Sequence, residues 1–183
     1  SEMLHTVIYV PLSEKQLGAI QKIIDSATDL TLLVNDILDQ AQLETGKLEL
    51  MVCRLAPSDL ITRLQSTMSS LAESKGLQLI TTIDENVPTT LVGDPNRLYQ
   101  ILINLTGNAI KFTPEEGQVT VTASNPDDRI LVEVQDTGVG IPLDQYQRIF
   151  ERYYTGSTAG EGIGLSLVKR ICRRYGWNID IES

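Results

Sequence analysis

Three stretches of this 183-residue chain carry residue types whose spacing suits phosphate and flat-ligand chemistry. In the first, Asn104, Asn108 and Lys111 recur at intervals of four and three, which puts their side chains on one helical face. Two amide oxygens and an ammonium aimed the same way can hold a hydrated magnesium ion and a phosphate chain; the same residues also suit a solvated helix face. In the second, Asp136-Thr137-Gly138-Val139-Gly140-Ile141-Pro142 follows an apolar run. Its glycines let the backbone pass close to a flat ligand while the carboxylate accepts a hydrogen bond, although a tight strand-to-helix turn uses the same residues. In the third, Gly160-Glu161-Gly162-Ile163-Gly164-Leu165 leads into a helical pattern. Glycines there expose free N–H groups and the positive end of the helix dipole to a phosphate, or serve simply as a cap. The small residues from Thr155 to Gly160, after Phe150-Glu151-Arg152-Tyr153-Tyr154, read as a flap over such a site.

These stretches need elements to position them. Ser13-Glu14-Lys15-Gln16 fits a capping box and opens a long helix to about Thr45. Leu17, Ile20, Ile24, Ala27, Leu30, Val34, Ile37, Leu38 and Ala41 form one narrow apolar stripe along it, and Gly46 ends it. Such a helix is not stable alone, so it is expected to form a helical hairpin with the segment before Pro11 and to dimerise. Lys47–Val52 reads as a strand, Pro57 to about Ser74 as a helix ended by Gly76, and Leu77–Ile83 as a strand. Asp94-Pro95 opens a helix to about Phe112. Val119–Ala123 and Ile130–Val134 alternate like strands around the turn Asn125–Asp128. Pro142–Phe150 reads as a short helix, residues 155–161 as a loop, Gly162–Tyr175 as a helix and Asn178–Glu182 as a last strand. The expected division is residues 1–46, a partial helical hairpin, and residues 47–183, an α+β domain.

Composition narrows the function. Fifteen Lys and Arg against 24 Asp and Glu give a formal charge of −9, which disfavours a nucleic-acid or anionic-membrane binder. One histidine, His5, and two distant cysteines, Cys53 and Cys172, leave no His/Cys zinc site. Both cysteines are expected to be buried free thiols in a reducing compartment. No apolar run reaches the length of a membrane span, and the start SEMLHTVIYV has no signal-peptide character and reads as the middle of something. A cytoplasmic piece, without direct membrane contact, is expected.

Taken in order, the stretches resemble the boxes of sensor histidine kinases. Asn104-Leu105-Thr106-Gly107-Asn108-Ala109-Ile110-Lys111-Phe112 is similar to the N box, and Asp136 to Ile141 to the first glycine box. Phe150 to Tyr154 is similar to the F box, and Gly160 to Leu165 to the second glycine box. The first segment, ending in Ile37-Leu38-Asp39-Gln40-Ala41-Gln42-Leu43-Glu44-Thr45-Gly46-Lys47, resembles the second helix of the dimerisation and histidine-phosphotransfer domain. The resemblance implies an α+β fold, a two-layer α/β sandwich of the Bergerat ATP-binding type with helices on one face of a mixed sheet, preceded by a long dimerisation helix. It implies ATP and Mg2+ as cofactors, with Asn108 on the metal and Asn104 and Lys111 as catalytic supports for the ion and phosphates. Asp136 would accept from the adenine amine, which excludes guanine. Gly138, Gly140, Ile141, Gly162, Gly164 and Leu165 would complete the nucleotide-binding set, with Arg97 and Arg152 as outer phosphate or interface contacts or as surface salt bridges. A homodimer and a response-regulator partner follow from the same resemblance.

The chain departs from the pattern at three points. No His-Glu motif followed by Arg-Thr-Pro is present, and His5 reads as a helix-end surface residue, not the phosphoacceptor. The loop from Tyr154 to Gly160 is short for an ATP lid. The chain ends one strand after the last helix, so an open sheet edge is expected. Two other readings use the same boxes: an ATP-driven clamp like gyrase or heat-shock chaperones, and a non-catalytic adaptor with a vestigial pocket. The F box and the preceding helix argue against the clamp, and intact Asn108, Asp136 and paired glycines argue against the adaptor.

Overall fold

The computed structural model describes Ser13, Gln16, residues 18–20, 51–154 and 162–183. The chain divides into two compact units, Ser1–Leu48 and Glu49–Ser183. In the first, the capping box forms: the Ser13 amide donates to Gln16 Oε1 at 2.9 Å, and the Gln16 amide donates to Ser13 Oγ at 3.4 Å. The rest of the expected 13–45 helix, His5, positions 47–50 and the loop at 155–161 lie outside the described residues.

The second unit follows the order β1 (Cys53–Leu55), α1 (Pro57–Ser74), β2 (Gln78–Ile83), β3 (Leu91–Gly93), α2 (Pro95–Phe112), β4 (Gln118–Ser124), β5 (Leu131–Asp136) and α3 (Gly164–Tyr175). Pro57 and Pro95 each occupy the first helical turn, where their missing N–H costs nothing. Helix α1 stops in a Schellman arrangement: Gly76 adopts φ +68°, its amide donates to Glu73 O at 2.9 Å, and the Leu77 amide donates to Ala72 O at 2.9 Å.

The main sheet has the order β2-β4-β5, with β2 parallel and β5 antiparallel to β4. Its register gives the two faces opposite characters. Leu79, Val119, Val121 and Val134 share one face, which packs on Ile61, Leu64, Met68 and Ala72 of α1 and on Leu102, Ala109 and Ile110 of α2. Leu64, Val119 and Val121 are completely buried, each contributing roughly 1.5–3 kcal/mol relative to exposure. The other face carries Thr82, Thr120, Thr122 and Gln118, which bond across the strands, Thr82 Oγ1 to Thr122 Oγ1 at 3.0 Å, and along β4, Gln118 Nε2 to Thr120 Oγ1 at 2.9 Å. Helices over one face and hydrogen-bonding side chains over the other make the expected two-layer α+β arrangement.

Four expectations are corrected. Met51 and Val52 are not in a strand; pairing begins at Cys53, whose partner is Gly93 of β3, a strand the sequence reading did not anticipate. Pro142–Phe150 forms two separate 3-10 turns, Leu143–Gln145 and Arg148–Phe150, because the backbone closes only three-residue bonds such as Glu151 N to Arg148 O at 2.8 Å. Asn178–Glu182 is not a strand. Trp177, Ile179 and Ile181 are half-buried between exposed neighbours, so the alternation sets which side is covered without supplying a ladder partner. Cys172 is buried but Cys53 is exposed, because only Leu55 of β1 turns into the core.

Candidate functional site

Helix α2 sorts its side chains by period. Leu102, Thr106, Ala109 and Ile110 are buried on one side, and Asn104, Asn108 and Lys111 lie on the opposite side. Arg97 and Gln100 belong to the same stripe as the asparagines: Arg97 Nη1 donates to Gln100 Oε1 at 2.9 Å, and Asn104 Nδ2 donates to Gln100 O at 2.8 Å. Gln100 was not among the expected site residues, although its spacing of four from Asn104 was the available signal.

The N-terminal end of α2 is held by Asp94, which is 5% exposed. Its Oδ1 accepts from the amides of Asn96 at 3.0 Å and Arg97 at 3.2 Å, as an N-cap should. Its Oδ2 accepts from the Met51 amide at 3.3 Å and from the Tyr175 hydroxyl at 3.2 Å. Burial, and then the Asp94 charge, push the Tyr175 phenol up to about 12. Tyr175 also stacks on Trp177, with centroids 4.5 Å apart. Asp94 thereby joins the beginning of α2 to the end of α3.

Three glycines around α2 and α3 make close approaches, two of them to backbone atoms. A Cβ at Gly164 would lie 2.6 Å from Asn104 Oδ1, so the start of α3 rests directly on the asparagine stripe. A Cβ at Gly138 would lie 2.5 Å from Asp136 Oδ1 and 2.8 Å from Phe112 O, which brings the turn after β5 against the C-terminal end of α2. A Cβ at Gly162 would lie 2.5 Å from Tyr153 C and 2.6 Å from Tyr154 N, and Gly162 has φ +65°. The Tyr153 amide donates to Gly162 O at 2.9 Å, and Lys169 of α3 sits 4.9 Å from the Phe150 ring centroid. The segment 150–154 is thus attached to the beginning of α3.

The remaining expected site residues fall as follows. Asp136 ends β5, paired with buried Val119 and so on the helix-covered side of the sheet. Its Oδ1 accepts from the Gly138 amide at 2.8 Å. Gly140 has φ +69°, and the Ile141 amide donates to Ser183 Oγ at 2.7 Å. Asn108 is half-buried; Lys111 is exposed, with its ammonium 5.2 Å from the Phe112 ring centroid. Leu165 is half-buried in the first turn of α3, a helix whose N-terminus has no side-chain cap. Arg152 lies 5.5 Å from the Tyr153 ring centroid. The structure therefore gathers Asn104 and Gly164 at one contact, and Asp136, Gly138 and Phe112 at another, joined by α2.

Among the described residues no cluster of three or more His, Cys, Asp or Glu could hold a metal. The donors on the stripe are neutral amide oxygens, which suit an ion that keeps several waters and takes its other oxygens from a phosphate chain. That donor set fits Mg2+ delivered with a nucleotide. No helix among the described residues is long and apolar enough to cross a membrane.

Comparison with known proteins gives the family. Residues 93–183 match the family described as histidine kinase-, DNA gyrase B-, and HSP90-like ATPase. The circadian input-output histidine kinase CikA of Synechococcus elongatus is 38% identical over 180 residues, covering 94% of this chain and 24% of CikA. The signal transduction histidine-protein kinase BarA of Escherichia coli K12 is 35% identical over 187 residues, covering 94% of this chain and 20% of BarA. The chain thus spans about a quarter or less of the length of these two relatives. Among solved structures, full-length ShkA in complex with AMPPNP superposes with a TM-score of 0.72 at 36% identity, covering 91% of this chain and 35% of ShkA. The nucleotide-free catalytic domain of the histidine kinase ThkA superposes with a TM-score of 0.61 at 26% identity, covering 68% of this chain and 82% of that domain. With the asparagine stripe and both glycine turns assembled around α2, residues 93–183 belong to the histidine kinase-, DNA gyrase B- and HSP90-like ATPase family, and the chain carries the ATP-binding catalytic domain of a sensor histidine kinase.

Proposed function

We propose that this domain binds Mg2+-ATP between α2, the turn after β5 and the start of α3, and serves a kinase that moves the γ-phosphoryl group to a histidine lying upstream of this sequence. The phosphoryl group then passes to an aspartate of a response regulator. The observation that carries the reading is the pair of close approaches at Gly138 and Gly164, which bring both glycine turns onto the helix bearing Asn104, Asn108 and Lys111. The family assignment and the likeness to ShkA, solved with the ATP analogue AMPPNP, support it.

Each side chain has a task in this reading. Asp136 keeps one carboxylate oxygen on the Gly138 amide, which fixes its rotamer, and the second oxygen accepts from the adenine amine. Gly138, Gly140 and Ile141 form the backbone edge against which the base lies. Gly162, Gly164 and Leu165 offer the uncapped first turn of α3 to the phosphates. Asn108 holds Mg2+ through its amide oxygen, with Asn104 and Lys111 supporting the ion and the phosphates as the catalytic pair. When bound, the ion neutralises phosphate charge; catalysis by the protein is otherwise positioning and electrostatic stabilisation. Arg97, within the α2 stripe, and Arg152, beside the flap, are outer phosphate or interface contacts.

The first unit acts as part of a dimerisation and phosphotransfer hairpin, its long helix pairing with a second copy in a cytoplasmic homodimer. Calorimetric titration of the chain with ATP and ADP in Mg2+, beside Asp136→Asn, tests the site. Saturable binding that the substitution weakens by roughly 10- to 100-fold is expected, since it leaves a mismatched polar pair. Absence of binding by the folded wild-type chain would sink the reading. Acid-labile phosphate on a histidine of the longer protein, chased onto a response regulator, tests the reaction itself.

A further inference from the structure

Helix α2 ends with four carbonyls that have no partner within the helix: those of Ile110, Lys111, Phe112 and Thr113. Ala109 O, just before them, is taken by the Thr113 amide at 3.1 Å and the Thr113 hydroxyl at 2.6 Å. Three of the four are claimed by one side chain. Lys75 Nζ donates to Ile110 O at 2.8 Å, Lys111 O at 2.6 Å and Thr113 O at 2.7 Å. An ammonium has three protons, so all of its donors are used here. The carbonyl left over is that of Phe112, and it is the one against which Gly138 packs.

Lys75 reaches this point because α1 and α2 end side by side. It is the C-cap residue of α1, and the Schellman turn at Gly76 follows it directly. Gly76 O accepts from the Glu116 amide at 3.1 Å, and the Gln78 amide donates to Gly117 O at 3.0 Å, which ties the segment after α1 to the segment after α2. The charge also opposes the negative end of the α2 dipole, where the carboxylate of Asp136 stands close by across Gly138.

We propose that Lys75 is a positioning residue for the nucleotide site. By fixing the last turn of α2 it sets the backbone from which the Lys111 side chain springs, and holds Phe112 O at the distance that the Gly138 turn and Asp136 require. It touches neither nucleotide nor ion. The inference rests on the nucleotide-site reading above.

The test titrates the whole chain with Mg2+-ATP, well below its melting temperature and with near-UV circular dichroism confirming the fold, for wild type, Lys75→Met and Lys75→Arg. Lys75→Met is expected to weaken binding about tenfold while folded. Lys75→Arg, which restores charge and several donors, is expected to recover most of that loss. A merely structural role would lower the melting temperature and leave the affinity of the folded chain unchanged, and that result overturns the inference. Equal loss in Met and Arg variants overturns it as well. Should Lys75→Met fail to fold, Lys75→Gln retains an amide donor and is read against the same expectations. Wild-type chain that binds no nucleotide overturns the site reading and this inference with it, an outcome the wild-type titration separates from failure of the inference alone.

Discussion

Helices α2 and α3 both line the candidate site, yet their ends beside it are secured by different means. Helix α2 has a charged side chain at each terminus, the Asp94 carboxylate on its first amides and the Lys75 ammonium on its last carbonyls. Helix α3 begins without a side-chain cap, and its start is located by close backbone approach at Gly162 and Gly164 and by the Tyr153–Gly162 bond. The α2 wall is fixed by hydrogen bonds that do not need ligand. The α3 wall keeps its first-turn amides available, which is what a phosphate requires. A helix end can be satisfied by the protein or by a ligand, and in the proposed nucleotide site the two helices would divide those roles.

Substitutions can break this contrast at either wall. The largest effect is expected from Gly162→Ala, whose Cβ would press on the Tyr153 and Tyr154 backbone at a φ of +65°. It should cost about 2 kcal/mol or more, read as weakened Mg2+-ATP affinity together with a lower melting temperature. Unchanged values for both would show that the α3 wall does not depend on that approach. On the other wall, Asp94→Ala removes the N-cap and leaves the Tyr175 hydroxyl without its partner. A loss of roughly 1–2 kcal/mol, a few degrees in thermal melting, is expected.

Thr106 sharpens the comparison from inside the core. Its side chain is fully buried on α2, and its hydroxyl finds no partner among the described residues. Thr106→Val keeps the shape and removes the unsatisfied group, so a gain of about 1 kcal/mol in thermal or denaturant melting is expected. The cysteines report the same inside-outside division without mutation. Burial pushes the Cys172 thiol up, while Cys53 is exposed on β1. Alkylation followed by mass spectrometry should modify Cys53 first and reach Cys172 only on unfolding.

The last effect is confined to high pH and belongs to Tyr175. Its proton is held more tightly folded, at about 12, than at its ordinary value near 10, so the folded state binds more protons between them. This contribution is fully present below pH ~10 and fades as pH rises toward ~12; Tyr175→Phe should flatten that part of the stability profile.

How much of this was legible beforehand depended on whether the cause was local. Helices α1 and α2 could be placed closely because Pro57, Asp94-Pro95 and Gly76 act within a turn of where they stand. The asparagine stripe was legible for the same reason, since 3.6-residue periodicity needs no knowledge of the rest of the chain. The segment Pro142–Phe150 was misread because its bonds close over three residues rather than four, a small difference that neighbouring contacts decide. The strand Leu91–Gly93 was missed because three residues carry too little pattern, and its partner is Cys53–Leu55, far back in sequence.

By itself the sequence determined helices α1, α2 and α3, the alternation of β4 and β5, and the residue types able to meet a nucleotide. Each follows from backbone propensity or chemical character carried by adjacent residues. Only the tertiary structure decided that β2 runs parallel to β4, that the register turns Asp136 toward the helices, and that Gly164 closes onto Asn104 and Gly138 onto the Phe112 carbonyl at the end of α2. Only it brought Lys75 to the end of α2, 35 residues away from Ile110 in sequence. Such contacts are selected by the burial of a shared core and the pairing of leftover backbone groups, and neither quantity exists until the chain has folded.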